Sequence, residues 1–268
     1  MMPIFYINLA SRADRRAYME EQFKRLTLTA TRIEAITPAD LSAEDIERYC
    51  NGENPSFLRR NELACTMSHE RCWQELIAGG AGQALVLEDD VRISSRLPEF
   101  LAAAADIDAE LIRIETTGAT TRVFPVHDTS IPGIGLRRFR STPVGAAGYI
   151  IRRSAAEKLL GHPALRLRPV DLVLYDPFEQ PGAVITRVLT DPALCQQIGS
   201  SDPRTRSVGM SNVVADGVPH IYAKRHPLRH LKAKIERGVR RGVRNALDDI
   251  AQRRKGLERR RIPFSPEG

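Results

Sequence analysis

Along the first two hundred positions, apolar residues recur in two rhythms that take turns. The runs IFYINL (4–9) and ALVL (84–87) are continuous and rich in β-branched, leucine and aromatic side chains, as expected of strands buried on both faces. Between them, Leu63, Ala64, Met67, Cys72, Trp73, Leu76 and Ile77 fall close to helical spacing. That segment, NELACTMSHERCWQELIAGG, stops at Gly79 and Gly80, so it predicts a helix with a glycine terminus. Arg15 to Leu26 and RLPEFLAAAADI carry helical periods of their own, and SAEDIERY opens on Ser42 as N-cap with Glu44 and Asp45 in the first turn. TATRIEAI and ELIRIETT are further strand candidates, while GAAGYIIRRSAAEKLL reads as turn, strand and a helix from about Ser154. RPVDLVLYD fits a strand or a helix. From Gly118 to Pro143 the chain is polar and interrupted by Pro and Gly, which predicts a flexible or substrate-facing segment. Strands and helices alternating at this interval predict an α/β fold around a mixed, mainly parallel sheet covered on both faces.

The C-terminal pattern differs. Leu231, Ile235, Val239, Val243, Leu247 and Ile250 recur every three or four positions among many Arg and Lys, predicting a basic amphipathic helix with Gly238 and Gly242 as candidate break points. Between Ile221 and Ile262 there are 15 Lys or Arg and 4 Asp or Glu; with a net charge of +7 for the whole chain, the rest is mildly acidic. The organisation expected is a catalytic body over residues 1–220 and a basic helical arm over 221–268. Such an arm suits an anionic membrane surface; a helix packed on the body with its basic face in water is the competing reading. Nucleic acid is a third, disfavoured partner, because only Tyr222 and Phe264 flank the arm and stacking recognition needs aromatics interleaved with the cations.

No run approaches the 18 or so uninterrupted apolar residues of a membrane span, and the N-terminal MMPIFYINLASRADRR lacks a basic stretch before its short apolar run. A cytoplasmic protein, peripheral on the inner membrane face at most, is the expectation. The four cysteines show no CxxC pairing and read as reduced and packed.

Chemistry concentrates where ALVL runs into Glu88, Asp89 and Asp90. Two carboxylates about 4 Å apart repel by roughly 4 kcal/mol at an effective dielectric near 20, so something must offset three in a row. In open α/β sheets ligands sit outside the carboxyl ends of strands, and Mg²⁺ or Mn²⁺ takes carboxylate and diphosphate oxygens together. The alternative is that Asp89 or Asp90 caps the following turn. Neither a Walker A sequence nor GxGxxG is present, which disfavours P-loop and dinucleotide-binding enzymes.

Taken together, FYINLASRADRR, NELACTMSHERCWQELI, ALVLEDDV and GAAGYIIRRSAAEKLL followed by PVDLVL resemble glycosyltransferase family 25, which includes bacterial lipooligosaccharide galactosyltransferases and collagen galactosyltransferase domains. The match covers roughly residues 3 to 200. The resemblance implies a GT-A type fold, a UDP-hexose donor (most often UDP-galactose), a glycolipid or oligosaccharide acceptor, and Mn²⁺ or Mg²⁺ held by Asp90 and Glu88. Asp89 or Glu88 would face ribose or metal-bound water, and Asn8, Arg12 and Arg15 would form the nucleotide-facing loop. Glu62, Cys65, Ser68 and His69 match the family's Gly-Glu-x-Gly-Cys-x-x-Ser-His segment, whereas Asn61 and Ala64 replace its glycines. Inverting transfer needs a general base for the acceptor hydroxyl; Asp171, which aligns with the family's Val-Asp, is the first candidate and Glu115 the second. Rival readings are a metal-dependent nucleotidyltransferase, or a nucleic-acid- or membrane-associated binding protein whose acidic triplet is structural.

Overall fold

The computed structural model describes residues 2–52, 57–198 and 226–265. The chain opens with β1 (Ile4–Asn8), α1 (Ala13–Arg25), β2 (Thr31–Glu34), α2 (Ala43–Tyr49) and α3 (Arg60–Ala78). It continues through β3 (Gln83–Glu88), β4 (Val91–Ile93), α4 (Leu97–Ala103), β5 (Leu111–Arg113) and β6 (Glu115–Thr116). Then come β7 (Thr120–Val123), β8 (His127–Asp128), β9 (Gly135–Arg138), β10 (Gly148–Arg152), α5 (Arg153–Leu160) and α6 (Val170–Tyr175). The described elements end with β11 (Arg187–Asp191), β12 (Cys195–Gln197), α7 (Pro227–Gln252) and β13 (Glu258–Arg261).

An eight-stranded sheet in the order β2-β1-β3-β10-β5-β11-β9-β8 forms the centre. β1, β2 and β3 pair in parallel, as do β5 and β11, whereas β10 runs antiparallel between β3 and β5 and β9 antiparallel beside β11. Six strands therefore share one direction, giving the mixed, mainly parallel sheet that the sequence predicts. Both faces are covered, which explains the unbroken apolar runs. Phe5, Ile7 and Val86 face one core with Trp73, Leu76 and Val173; Ile4, Tyr6, Leu85 and Leu87 face the other with Met19, Phe23, Leu97 and Phe100. β4, β12 and β6 form a small separate sheet beside the strand ends.

The segment from Gly118 to Pro143 departs from its expected flexibility. It holds β7, β8 and β9, because partners distant in sequence satisfy its backbone: β9 lies against β11, and β7 pairs antiparallel with β13. RPVDLVLYD resolves into the short helix α6 after Pro169.

The boundary expected at residue 220 lies outside the described residues. Beyond it, α7 is continuous through Gly238 and Gly242, with no break at either. Its C-terminal end is tied to the body: the Arg122 guanidinium donates to Asp249 at 2.6 Å and Asp248 at 2.7 Å, and Arg140 reaches Asp248 at 2.8 Å. After α7 the chain returns to the small sheet. Thr116 Oγ1 donates to the Ile262 carbonyl at 2.8 Å, and Ala193 exchanges backbone hydrogen bonds with Pro263 and Ser265. Ile262 is buried.

Candidate active site

Because β1, β3 and β5 run the same way, their carboxyl ends open on one edge of the sheet, and this is where the polar side chains gather. Asn8 ends β1, Glu88 ends β3 and Glu115 follows β5. β10 runs the other way, so the loop entering it, Val144–Ala147, meets the same edge. Asp171, in the first turn of α6, reaches that loop: its Oδ2 accepts from the Gly145 N–H at 3.4 Å.

Asp89 and Asp90 occupy the turn between β3 and β4, and both are buried. Asp89 is held on two sides: Oδ2 accepts from Asn8 Nδ2 at 2.7 Å and Oδ1 from Arg15 Nη1 at 2.8 Å. Asn8 also donates to the Arg12 carbonyl at 3.1 Å, so β1, the loop after it and the acidic turn are locked together. Arg15 lies 3.1 Å from Asp90 Oδ2 as well, and Gln197 Nε2 donates weakly to Asp90 at 3.4 Å. The Arg12 guanidinium forks onto Asp14, at 2.9 and 2.7 Å, and holds that carboxyl down at about 2.

Glu88 and Asp90 show the opposite behaviour. Burial, reinforced by the charges of neighbouring carboxylates, raises Glu88 to about 7 and Asp90 to about 7. Asp89 and Asp171 raise Glu88, while Glu88 and Asp89 raise Asp90; Arg15 opposes the shift in both. Glu115, pushed to about 7 chiefly by burial, accepts from the Ala147 N–H at 3.0 Å and sits 3.3 Å from Arg113 Nη2. Its other oxygen, Oε1, is buried without a hydrogen-bond partner. Gly145 crosses this carboxylate with φ +89°, and a Cβ there would stand 2.7 Å from Glu115 Oε1. Glycine is needed on both counts.

His69 projects from α3 into the same region, wholly buried. Its Nδ1 lies 2.8 Å from the Tyr149 hydroxyl, which accepts from Trp73 Nε1 at 2.9 Å. The indole only donates, which leaves the hydroxyl able to donate to Nδ1 or to accept from it, according to the ring's tautomer. Nε2 is 3.4 Å from Glu88 Oε1 but poorly aligned, and it has no hydrogen-bond partner. Burial lowers His69 to about 3, so the ring is neutral and offsets none of the negative charge.

Two residues of the family-like segment serve the fold. Ser68 Oγ accepts from the Ile36 N–H and donates to the Ala64 carbonyl, both at 2.8 Å, joining α3 to the segment after β2. Glu62 accepts from the Arg59 N–H at 2.8 Å and closes the first turn of α3.

Five carboxylates thus meet at the strand ends, with Arg15 and Arg113 in direct contact with them. A divalent ion fits this donor set, because carboxylates whose proton affinity is raised by burial and by neighbouring acids gain from a cation beside them. Glu88 also belongs to a tighter grouping with Cys65 and His69, whose ligand atoms lie within 4.8 Å of one another; Asp90, turned toward Arg15 and Gln197, is outside it. Sequence reasoning alone does not single out Arg113 or Gln197. The signal for Arg113 was available: a cation inside the apolar run LIRI, two residues before Glu115 and hence on the same side of an extended chain.

An α/β sheet whose strand ends converge on buried acids is the arrangement of an enzyme that binds its ligand at the carboxyl edge. The chain belongs to glycosyltransferase family 25 (LPS biosynthesis protein), whose model matches residues 1–174. It is 31% identical over 204 residues to the lacto-N-neotetraose biosynthesis glycosyltransferase LgtB of Neisseria meningitidis serogroup B, covering 71% of this chain and 74% of that protein. The lipooligosaccharide biosynthesis protein lic2B of Haemophilus influenzae is 25% identical over 211 residues, 75% of this chain and 77% of the relative. Human procollagen galactosyltransferase 2 is 30% identical over 183 residues, covering 63% of this chain and 29% of that protein. The protein is a glycosyltransferase. Among the described residues no helix is long and apolar enough to cross a membrane.

Proposed function

We propose that the protein transfers a hexose, galactose from UDP-galactose, to a sugar hydroxyl of a lipooligosaccharide or related glycan, with inversion at the transferred carbon. The observation that carries the reading is the convergence of Glu88, Asp90, Glu115 and Asp171 at one sheet edge, with Glu88, Asp90 and Glu115 all raised to about 7. Glu88 and Asp90 would hold Mn²⁺ or Mg²⁺, which supplies positive charge to the diphosphate when bound. Asp89 acts indirectly. Clamped by Asn8 and Arg15, it fixes the turn that carries Glu88 and Asp90 on either side of it.

Asp171 is the base. It is half-buried, hence reachable from solvent, whereas Glu115 lies beneath Gly145. As the acceptor oxygen forms its bond to the sugar C1, its proton passes to the Asp171 carboxylate. The bond from C1 to the diphosphate oxygen breaks with its electron pair, releasing UDP. Glu115, paired with Arg113, holds the Ala147 end of the loop.

The test is calorimetric titration of UDP with and without Mn²⁺, on the wild type and on Asp90→Asn, followed by turnover with UDP-galactose, UDP-glucose and nucleoside triphosphates. Metal-dependent UDP binding lost in Asp90→Asn, with UDP-hexose turnover, supports the assignment. Binding indifferent to both the ion and the substitution overturns it, and turnover of triphosphates alone moves the protein to nucleotidyl transfer.

A further inference from the structure

Helix α7 carries seven large apolar side chains, Leu228, Leu231, Ile235, Val239, Val243, Leu247 and Ile250, and every one is more than half exposed. A solvent-facing stripe of this length has no counterpart elsewhere among the described residues and exceeds what single surface apolar residues explain. We infer that α7 is a membrane-docking element whose occupant is an anionic lipid bilayer surface.

Charge selects this occupant. From Pro227 to Asn245 the sequence has seven Arg or Lys against Glu236 alone, and Lys232 lies 3.9 Å from that glutamate. Asp248 and Asp249, the helix's remaining acids, are turned to Arg122, Arg140 and Arg259 of the body and the strand after α7, so they do not oppose an anionic surface. An apolar stripe bordered by cations matches a bilayer interface, where acyl chains and anionic headgroups lie side by side. The period points the same way. Six steps take the stripe from Leu228 to Ile250, about 3.7 residues each, which follows a straight helix instead of the 3.5 of a left-handed two-helix seam.

The helix is also fixed where it matters. Arg244 lies 3.2 Å from Glu179 and its guanidinium stacks 4.1 Å from the Phe178 ring centroid, in the loop leaving the helix that bears Asp171. This part of α7 is thereby tied to the loop after the helix that bears Asp171, and, resting on the reading of Asp171 as the base, a glycan carried on a lipid would be presented there. Binding to lipid is separable from the transfer reaction, because it is read without donor or acceptor.

The experiment is flotation of the full-length protein with phosphatidylcholine vesicles and with mixed phosphatidylcholine and phosphatidylglycerol vesicles, comparing the wild type with Ile235→Glu/Val239→Glu. Both substituted side chains are exposed and outside the catalytic site, so turnover of UDP-hexose with a soluble acceptor and the melting temperature should be unchanged. The expected result is at least about tenfold stronger partition onto the anionic vesicles, weakened by salt and lost in the double variant. Equal partition of wild type and variant, or none onto either vesicle, overturns the inference. So does a wild-type dimer that the variant dissociates while vesicles are ignored, which would assign the stripe to a second copy, and so does capture by duplex DNA in place of vesicles.

Discussion

Raising the pH from 6 to 8 should strengthen Mn²⁺ binding by a predictable factor. Glu88 and Asp90 both sit near 7 in the folded protein, and a metal ion needs both carboxylates ionised. Treated as independent sites, each is about one-tenth ionised at pH 6 and about nine-tenths at pH 8, so the fraction with both charged rises from about 1% to about 80%. The apparent association constant should therefore climb roughly 100-fold, about 2.7 kcal/mol. The same ionisation requires about 1.8 protons to leave per ion bound at pH 6 and about 0.2 at pH 8. Isothermal titration of Mn²⁺ in buffers of differing ionisation enthalpy reads both quantities. The sign for stability is the reverse. Because the folded values lie above the ordinary carboxylate range, these groups contribute stability that is complete below about 4 and lost as the pH rises through about 7. The metal-free protein should melt at lower temperature at pH 8 than at pH 5, and saturating Mn²⁺ should offset that loss. An affinity flat from pH 6 to 8 with no proton release would refute the placement of the ion on Glu88 and Asp90.

Three further substitutions test the architecture of the site. Asp171→Asn should lower kcat about 10²- to 10⁴-fold while leaving Mn²⁺-dependent UDP affinity nearly intact; if Glu115→Gln alone carries that loss, the base has been misassigned. Gly145→Ala forces a side chain into positive φ and within 2.7 Å of Glu115 Oε1, so urea denaturation should show about 1–3 kcal/mol of destabilisation together with reduced turnover. Arg122→Ala removes the fork on Asp248 and Asp249 but leaves Arg140 on Asp248; a loss of about 2 kcal/mol is expected, with faster amide exchange confined to α7 and β13. Uniform exchange across the sheet would show that the fork does not tie down this region specifically.

How far the sequence could be read depended on whether a structural cause was local. The run ALVL and the acids after it announce a buried strand with a charged mouth, and the apolar period of α3 is enough to put His69 on a helix. What local pattern cannot supply is a partner. A run of charged residues is silent on pairing, and ERRR at 258–261 becomes β13 only because β7 offers its backbone some 140 residues earlier. For the same reason Gly118–Pro143 looked loop-like, and the reversed direction of β10 was hidden. At the site, the acid triplet was evident but its division of labour was not. Asp89 is held by hydrogen bonds from Asn8 and Arg15, which lie 81 and 74 positions away, whereas Glu88 and Asp90 are the acids raised by burial and by their neighbours. Ser68 and Glu62 match a family motif yet work on backbone, a distinction that only their hydrogen bonds reveal.

The return of the chain after α7 bears on when during synthesis the enzyme can come into being. A nascent polypeptide that has emerged through residue 198 already contains every acid of the site and all eight strands of the central sheet. Yet the Thr116 hydroxyl, adjacent to Glu115, still lacks the Ile262 carbonyl, Ala193 lacks Pro263 and Ser265, and β7 has no neighbour at β13. The hydrogen bond that holds the residue next to Glu115 is supplied by residues translated after the helix. A ribosome-bound chain thus lacks these contacts around the candidate site until the basic helix has itself been made, so the last ties of the small sheet and the helix arrive together.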